Sequence, residues 1–318
     1  MYDIVSLGEL LIDFTESGVS AAGQRLFEQN PGGAVTNLLC AASQCGSKTG
    51  FIGKVGRDMH GAFLKQAMVN AGVDMHALIE SPDVFTTLAF VALKPSGERE
   101  FSFARKPGAD TQLRADELDR EMLTHTRVFH TGSLSLTEEP ARSATYEAID
   151  IAKAAGAVIS YDPNYRASLW PGKDEAIRFM RSLIITADIM KVSDEELPLL
   201  TGETDPEKAA DRLIDQGVKI AAITLGSEGA YIRVGKESKL VPGFRAKAVD
   251  TTGAGDSFFG GFLYRFLASG KTLKEVTIED AADYARFGNA TASLCVERRG
   301  GIPAMPRLSE VLDRLKQS

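Results

Sequence analysis

The sequence has little cysteine and little histidine, which limits the kinds of site it can form. Among its 318 residues, three are cysteine and four are histidine. Three cysteines are too few for a disulfide framework and are typical of a reduced compartment. We interpret Cys40 and Cys45, which lie in the small-residue run LLCAASQCG, as packing thiols. The histidines are scattered without metal-ligand spacing, which argues against a histidine-based metal centre.

Long basic runs and long apolar runs are also absent. The formal net charge is −7 at pH 7. No lysine- or arginine-rich run occurs, which argues against nucleic-acid and anionic-membrane partners. The sequence contains no run of about 20 uninterrupted apolar residues, which is the length needed to span a bilayer. The N-terminus enters a strand pattern without the charged and apolar segments of a signal peptide. We therefore expect a cytoplasmic protein.

Short apolar strands alternate with amphipathic helices along most of the chain. The strands include YDIVSLGE and, later, VFHTGS, AVISYDPN, ADIMKVS and KIAAITLGS, and each ends in a polar or glycine-containing turn. The alternation predicts one α/β domain over residues 1–318, with a mostly parallel sheet covered by helices on both faces. In such sheets ligands bind beyond the carboxyl ends of the strands, so these turns are the candidate site.

Two segments break this alternation. Residues 13–28 and 84–106 have strand patterns without a helix of their own, and the second predicts a hairpin that turns at PSGE, residues 95–98. They predict a small β-sheet that projects from the α/β core as a lid. Such a lid could close over a site or pair with another subunit.

The turn DTTGAGD, residues 250–256, is the strongest candidate for a reactive site. We expect FRAKAV before it to be a strand and the segment after it to be a helix. Gly253, Ala254 and Gly255 would then present their amides at a helix N-terminus, where anions such as phosphate bind. Asp256 could simply cap this helix. A carboxylate beside a bound phosphate is unfavourable, however, unless it accepts a proton there, which suits a general base for an attacking hydroxyl.

Two common nucleotide-binding motifs are missing from the sequence. GxxxxGK[ST] does not occur, which excludes a P-loop protein. GAGDSFFGG has phenylalanine where a dinucleotide-binding fingerprint requires its third glycine, which argues against an NAD-linked oxidoreductase.

Five motifs, in order, resemble those of the ribokinase-like (PfkB) carbohydrate kinases. They are GGAVTNLLCAASQCG with GKVGRDMHG, YDPNYR, KVSDEE, TLGSEGAY and DTTGAGDSFFGGF, and the resemblance covers essentially the whole chain. GELLIDF, FSFARKPGAD and DPNYR most resemble bacterial fructokinases. The resemblance implies a three-layer sandwich with a β-lid, and a sugar kinase that uses ATP and Mg²⁺. It also implies that Asp256 deprotonates the sugar hydroxyl while the amides of Gly253–Gly255 hold the phosphoryl group.

The resemblance further implies a sugar site between the lid and the strand ends. Each candidate there also has a simpler explanation, as a solvated strand-end acid, a tight glycine turn or a solvated surface arginine. The implied sugar contacts are Asp13, Gly32, Gly33, Asn37, Arg105 and Arg166.

On the nucleotide side, the resemblance implies a second set of contacts, although TLGSEGAY would also suit a plain hairpin. These contacts are Lys191, Thr224, Gly226, Gly229 and Asn289. The metal-organising motif of the family, Asn-x-x-Glu, has Ser193 in place of its asparagine here, while Glu196 keeps the acid that organises Mg²⁺ through water. Asp250 and Thr252 match positions that bind a monovalent cation in some relatives, which implies K⁺ activation.

The expected reaction is the phosphorylation of a primary sugar hydroxyl by ATP, with D-fructose giving fructose 6-phosphate as the favoured hypothesis. The alternative substrates are 2-keto-3-deoxygluconate, aminoimidazole riboside and ribose, since one scaffold accepts them all. A catalytically silent sugar- or nucleotide-binding regulator is a further alternative, but such a protein would be expected to lose the base or the anion site. Because lid strands in this family often pair across a two-fold axis, we expect a homodimer.

Overall fold

The computed structural model describes residues 1–93 and 99–317. Strands and helices alternate along the chain, as the sequence predicts. The strands are β1 (Tyr2–Leu7), β2 (Leu11–Val19), β3 (Arg25–Gly32), β4 (Thr49–Gly56), β5 (Val73–Asp74), β6 (Leu78–Ser81), β7 (Leu88–Leu93), β8 (Arg99–Ala104), β9 (Thr126–Thr131), β10 (Val158–Tyr161), β11 (Ile189–Ser193), β12 (Ile220–Thr224), β13 (Gly229–Val234) and β14 (Glu237–Pro242).

Ten α-helices accompany these strands within the described ranges. They are α1 (Ala34–Gln44), α2 (Met59–Asn70), α3 (Arg120–Thr124), α4 (Ala141–Ala154), α5 (Lys173–Ser182), α6 (Leu197–Leu200), α7 (Pro206–Asp215), α8 (Ala254–Ala268), α9 (Ile278–Cys295) and α10 (Leu308–Lys316). Across residues 1–93 and 99–317, none of the helices combines the length and the apolar character needed to cross a bilayer.

The central sheet is mostly parallel, which confirms the predicted fold class. Its strand order is β14-β13-β12-β11-β10-β9-β1-β4-β5, and β6 also pairs with β4. The strands from β12 to β5 in this order are parallel, whereas β13 and β14 add an antiparallel edge. The carboxyl ends of the parallel strands therefore meet at one edge of the sheet.

Successive side chains of the central strands pack into two different hydrophobic cores, one on each face of the sheet. In β1, Ile4 packs in one core with α1, α2, α8 and α9, while Val5 packs in the other with α3, α4, α5 and α7. Val128 and Phe129 of β9 divide between the cores in the same way. Because successive side chains of a strand point to opposite faces, a sheet that is apolar throughout must be covered on both sides. The result is three layers, with helices on each face of the sheet.

A small separate sheet covers one end of these layers, as predicted. Its strand order is β3-β2-β7-β8, with β2 parallel to β7 and the outer pairs antiparallel. The first predicted segment, residues 13–28, contains most of β2 and the first half of β3. The second, residues 84–106, contains β7 and β8, and its predicted PSGE turn at residues 95–98 lies outside the described residues.

The prediction of a strand at FRAKAV, residues 244–249, is wrong. This segment has no strand conformation, and most of it is exposed. Its amides bond elsewhere: Val249 N–H donates to the carbonyl of Val296 at 2.7 Å, beyond the end of α9. The segment does not add to the sheet beside β14, because its end bonds the residue that follows α9.

Helices α1 and α8 pack closely because small residues meet at their crossing. A Cβ added at Gly260 of α8 would lie 2.5 Å from the carbonyl oxygen of Leu38 and 2.8 Å from the Cβ of Ala41. Glycine at this position therefore allows the α8 backbone to touch α1. The start of each helix carries a residue of the candidate site, and this contact fixes their separation.

Candidate active site

A cavity of about 540 Å³ lies where the small sheet faces the carboxyl ends of the parallel strands. Its volume is typical of a small-molecule site. The small sheet contributes Leu11, Asp13, Thr15, Asn30, Val91 and Phe103. The carboxyl ends of the parallel strands and the turns after them contribute Leu134, Asn164, Ser193 and Thr224 among others. The strand-end turns that the sequence indicates as candidates therefore line one cavity.

The start of α8 forms one wall of this cavity. Gly253 precedes the helix in a left-handed conformation, with φ 76°, which glycine adopts without strain. Within the described ranges, the backbone N–H groups of Gly253, Gly255 and Asp256 have no acceptor, as expected for a helix N-terminus. Ala254 differs from the prediction, because its N–H is directed at the carbonyl of Thr251 at 3.3 Å. The free amides and the helix dipole make this turn suitable for an anion.

Asp256 lies in the first turn of α8 and is buried. Two amide groups hold its carboxylate: Asn37 Nδ2 donates to Oδ2 at 2.8 Å, and Asn164 Nδ2 donates to Oδ1 at 3.2 Å. Burial raises the pKa of Asp256, while the bond from Asn37 and the charges of Lys191 and Arg166 act against the rise. An Asp with a raised pKa that remains hydrogen-bonded suits reversible proton transfer.

Asn164 was not predicted as a site residue, although the motif YDPNYR contains it. It is the one non-glycine residue with a positive φ in the described part of the chain, at 46°. Asn tolerates this left-handed conformation better than most residues. An asparagine in a turn directly after a buried strand is therefore the signal that could have identified it.

The end of β10 and the end of β11 bring together a buried ion pair. Lys191 Nζ lies 3.0 Å from Oδ2 of Asp162, and both side chains are almost fully buried. The ammonium also lies beside the start of α8, since a Cβ added at Gly255 would be 3.0 Å from Lys191 Nζ. Burial acts against the charge of Lys191, yet the nearby carboxylates of Asp162, Glu196 and Asp256 raise its pKa. A permanent cation therefore stands next to the free amides.

Glu196 lies on the cavity wall and is hydrogen-bonded at both oxygens. Oε1 accepts from the N–H of Tyr165 at 2.7 Å, and Oε2 accepts from the N–H and hydroxyl of Ser193 at 2.9 and 2.8 Å. Burial opposes ionisation, but Lys191 and these hydrogen bonds lower the pKa of Glu196. Ser193, at the position of the family asparagine, thus fixes the carboxylate in place.

The predicted sugar contacts separate into two groups. Asp13, Gly33, Asn37 and Arg166 all line the cavity, whereas Gly32 packs behind Asp13. A Cβ at Gly32 would come within 2.3 Å of Oδ2 of Asp13, so this glycine makes room for that carboxylate. Gly33 has φ 126° and lies against the backbone of the β1–β2 turn. The Oδ1 atom of Asn37 is buried and accepts no hydrogen bond from the described residues.

The structure does not bring Arg105 to the cavity. Its guanidinium is buried and donates through Nε and Nη2 to Oδ2 of Asp110, at 2.9 and 2.7 Å, and through Nη1 to Thr137. Asp110 also accepts from the hydroxyl of Thr87, just before β7. Arg105 directly follows β8, so these contacts join the roots of two strands of the small sheet to the α/β core. The sequence could not distinguish this role because the partner, Asp110, lies in a short 3₁₀ helix that no repeated pattern in the sequence marks.

Glu9 is a cavity residue that the sequence argument did not assign, although the motif GELLIDF contains it. It is 2% exposed, and its Oε1 accepts the N–H of Ala34, the first residue of α1, at 2.6 Å. Burial raises the pKa of Glu9 to about 7, with Asp110 adding to the rise and Arg105 opposing it. An acid directly after an apolar strand is the signal that could have identified it.

The predicted nucleotide contacts also divide. Lys191, Thr224 and Gly226 line the cavity, but Gly229 and Asn289 do not. A Cβ at Gly229 would be 2.1 Å from the carbonyl oxygen of Val241, so this glycine permits a close approach of two backbones. Asn289 Nδ2 donates to the carbonyls of Val241 and Pro242 at 3.0 and 3.1 Å. Both residues therefore hold the end of β14 in place.

The predicted monovalent-cation residues form the turn before α8. Asp250 Oδ1 accepts from the N–H and hydroxyl of Thr252 at 3.0 and 2.8 Å, and its Oδ2 accepts from the N–H of Gly300 at 3.0 Å. Asp250 and Thr252 both line the cavity. The carboxylate thus shapes the turn that leads into Gly253.

Comparison with known proteins identifies the family. A model of the pfkB family carbohydrate kinases matches residues 1–308. The chain belongs to this family. Fructokinase-1 of Zea mays is 40% identical over 318 residues, which cover 99% of this chain and 98% of that protein. The chain is therefore a carbohydrate kinase, as the sequence motifs predicted.

Two solved structures show the same fold. A crystal structure of the fructokinase from Xylella fastidiosa with bound ATP has a TM-score of 0.90 and 31% identity, and covers 100% of this chain and 99% of its own. A double mutant of the fructokinase from Vibrio cholerae O395, with fructose, ADP and potassium ion bound, has a TM-score of 0.88 and 30% identity, with coverage of 99% and 98%. The predicted ribokinase-like architecture is thereby confirmed.

The buried partner of Arg105 should be important for stability. Asp110→Ala would leave an uncompensated buried charge, so we expect the free energy of unfolding to fall by about 3–5 kcal/mol. Urea unfolding of the purified protein measures this. Asp116→Ala is the matched control, because Asp116 pairs with Arg114 on the surface, where such pairs contribute little. Equal effects of the two substitutions would contradict the structural role of the buried pair.

Proposed function

We propose that this kinase transfers the γ-phosphoryl group of ATP to D-fructose and produces fructose 6-phosphate, with Asp256 as the general base. The observation that carries this proposal is the arrangement around Asp256. A buried carboxylate, held by Asn37 and Asn164, shares a helix start with free amides and lies near the buried ammonium of Lys191. The similarity to fructokinases over the whole chain supports fructose as the acceptor.

In the proposed reaction, the primary hydroxyl of the sugar attacks the γ-phosphorus in line and ADP leaves. The hydroxyl proton passes to a carboxylate oxygen of Asp256, so the base gains one proton for each phosphoryl group transferred. Negative charge on the transferring group is stabilised by the N–H groups of Gly253 and Gly255 and by Lys191. The carboxylate needs no further movement, because its two amide partners already fix its orientation.

Sugar recognition is proposed to use the wall opposite α8. Asp13 lines this wall from the small sheet, and its carboxylate can accept hydrogen bonds from sugar hydroxyls. The buried and unpartnered Oδ1 of Asn37 is a further acceptor. Arg166 lines the cavity and lowers the pKa of Asp256 through its charge, so we place it near the reacting end rather than at the far end of the sugar.

ATP is proposed to lie toward the β11 and β12 ends, with Mg²⁺ on its phosphates. No group of three or more metal-ligating side chains occurs within residues 1–93 and 99–317. Mg²⁺ at nucleotide sites needs few protein ligands, because water and phosphate oxygens complete its shell. The oxygen donors of Asp194, Glu195 and Glu196 on this wall suit it, and Glu196 would hold it through water. When bound, the ion neutralises charge on the phosphates.

A monovalent cation is proposed to act at the turn before α8. Asp250 and Thr252 supply oxygen atoms there and lie directly before Gly253. The presence of potassium ion in the similar Vibrio cholerae structure supports this proposal. A cation at this turn would act by fixing the position of the free amides.

The decisive experiment compares wild type with Asp256→Asn in a coupled ATP-to-ADP assay. Loss of the base should lower kcat by about 10²–10⁴-fold, while MgATP binding and thermal unfolding stay close to those of the wild type. The acceptors are fructose, ribose, 2-keto-3-deoxygluconate and aminoimidazole riboside, each tested with and without K⁺.

Each outcome of this assay has a definite meaning. A higher turnover rate with fructose than with the other acceptors supports the proposal. A higher rate with another acceptor would identify that compound as the substrate in place of fructose. Binding of sugar and ATP without any turnover would support a silent regulator. An Asp256→Asn variant with wild-type kcat would show that Asp256 only caps α8.

The pKa of Asp256 should respond to Asn37. Because the hydrogen bond from Asn37 lowers this pKa, Asn37→Ala should raise it further. The base must be ionised to act, so the acidic limb of kcat/KM against pH should move to higher pH, and activity should be lost most at low pH. Asn70→Ala, at an exposed asparagine of α2, is the matched control. An acidic limb at the wild-type pH in Asn37→Ala would contradict this electrostatic coupling.

A homodimer through the small sheet is proposed as the assembly. Strands β3 and β8 are its free edges, and Val19, Leu26, Phe27 and Phe90 are exposed on it. Exposed edges and apolar side chains of this kind favour pairing with another chain. The mass in solution, measured by light scattering, should be twice the 34.2 kDa of one chain. Phe27→Asp should yield monomers, whereas Ile185→Asp, at an exposed apolar residue outside this sheet, should not.

A further inference from the structure

The carboxylate of Asp162 contacts two different parts of the active site. It lies directly after β10 and is 3% exposed. Lys191 Nζ donates to both of its oxygens, at 3.0 Å to Oδ2 and 3.3 Å to Oδ1. The backbone N–H of Asn164 also donates to Oδ1, at 3.2 Å. One buried carboxylate therefore holds both the ammonium and the turn after β10.

The two residues that Asp162 contacts, Lys191 and Asn164, each contact a residue of the proposed reacting centre at the start of α8. Lys191 lies against Gly255, beside the free amides of α8. Asn164, in its left-handed conformation, donates through its side chain to Oδ1 of Asp256. Asp162 is thus one contact away from the phosphoryl-binding cation and two contacts away from the base.

Stability alone does not explain why these charges are buried. A buried ion pair is often no more stabilising than apolar residues of similar size, because both charges lose their hydration. Asp162 also shares its surroundings with two other carboxylates, Glu196 and Asp256, which raise its pKa together with burial. Three acids around one ammonium form an arrangement that folding does not require.

We propose that Asp162 is a positioning residue that holds the ammonium of Lys191 at the start of α8 and away from the carboxylate of Asp256. This inference rests on the proposed phosphoryl transfer with Asp256 as base. Without Asp162, the ammonium would be attracted to the remaining carboxylates. Closer approach to Asp256 would lower the pKa of the base and remove the cation from the phosphoryl site.

The first test is Asp162→Asn, which keeps the side-chain size and can still accept the N–H of Asn164. Its kcat should fall by roughly 10²-fold, the effect of a misplaced group of about 1 Å, with KM for sugar and ATP little changed. The acidic limb of its pH–rate profile should move to lower pH. The charged groups that face Asp256 and set this limb are Asp162, Lys191, Glu196 and Arg166.

The second test is a double-mutant cycle with Lys191→Met. If Asp162 acts through Lys191, the double variant should be no slower than Lys191→Met alone, because the two losses are not additive. Asp162→Glu should restore the acidic limb toward the wild-type pH, since it restores the negative charge. If Asp162→Asn does not fold, Asp162→Ser, which also removes the charge and can still accept the N–H of Asn164, takes its place. Ser160→Ala is the matched control, because Ser160 is a buried polar residue of β10 whose hydroxyl contacts His130.

The outcomes separate this inference from the proposed function. Wild-type kcat and an unmoved acidic limb in Asp162→Asn, with only a lower melting temperature, would overturn it and leave a purely structural role. Fully additive losses in the cycle would also overturn it. If Asp256→Asn kept wild-type kcat, the proposed function would fail first. If Asp256→Asn lost activity while Asp162→Asn did not, only the positioning role would fail.

Discussion

Burying Asp256 at the start of α8 costs free energy unless its charge is matched by donors. Two asparagines from distant parts of the sequence supply them: Asn37 from α1 and Asn164 from the turn after β10. Both must be within hydrogen-bond distance of one carboxylate, so α1, α8 and the end of β10 have little freedom to move relative to one another. Gly260, which lets α8 touch α1, belongs to the same constraint.

The sheet topology brings the remaining groups to this carboxylate without long loops. Because β1, β9, β10, β11 and β12 run parallel, their carboxyl ends share one edge, and α8 begins at that edge. Residues almost 220 positions apart, such as Asn37 and Asp256 with a separation of 219, therefore meet through regular elements. Burial requires only that the strands be apolar on both faces. The residues at their carboxyl ends can therefore be the polar residues of the site.

The general architecture could be predicted from the sequence because it depends on repeated patterns. Apolar strands that alternate with amphipathic helices indicate a parallel sheet, and a glycine-rich turn before an apolar helix, as in GAGD, indicates a helix start with free amides. Roles that depend on a single distant partner could not be predicted. Arg105 meets Asp110, and Asn289 meets the backbone of Val241, and no local pattern distinguishes these structural contacts from ligand contacts.

The prediction of a strand at FRAKAV was wrong for a related reason. Its alternation suits a strand, but a strand must also pair with a neighbouring strand, and the N–H of Val249 in this segment bonds the carbonyl of Val296 after α9 instead. Glu9 lies in the motif GELLIDF, and Asp162 and Asn164 lie in YDPNYR, but the sequence did not predict a role for these three residues. Their signal is positional, a polar residue in the turn that follows a buried strand, and it becomes specific only when the strand order is known.

The roots of the small sheet join one side of the cavity to the α/β core. Strand β2 follows Glu9, β3 leads into Gly33, β7 follows Thr87, and β8 leads into Arg105. Glu9 bonds the start of α1, while Arg105 and Thr87 share Asp110. Glu9 also lines the cavity and lies within electrostatic reach of Arg105 and Asp110. One buried polar cluster therefore holds the roots of the small sheet and forms part of the cavity wall.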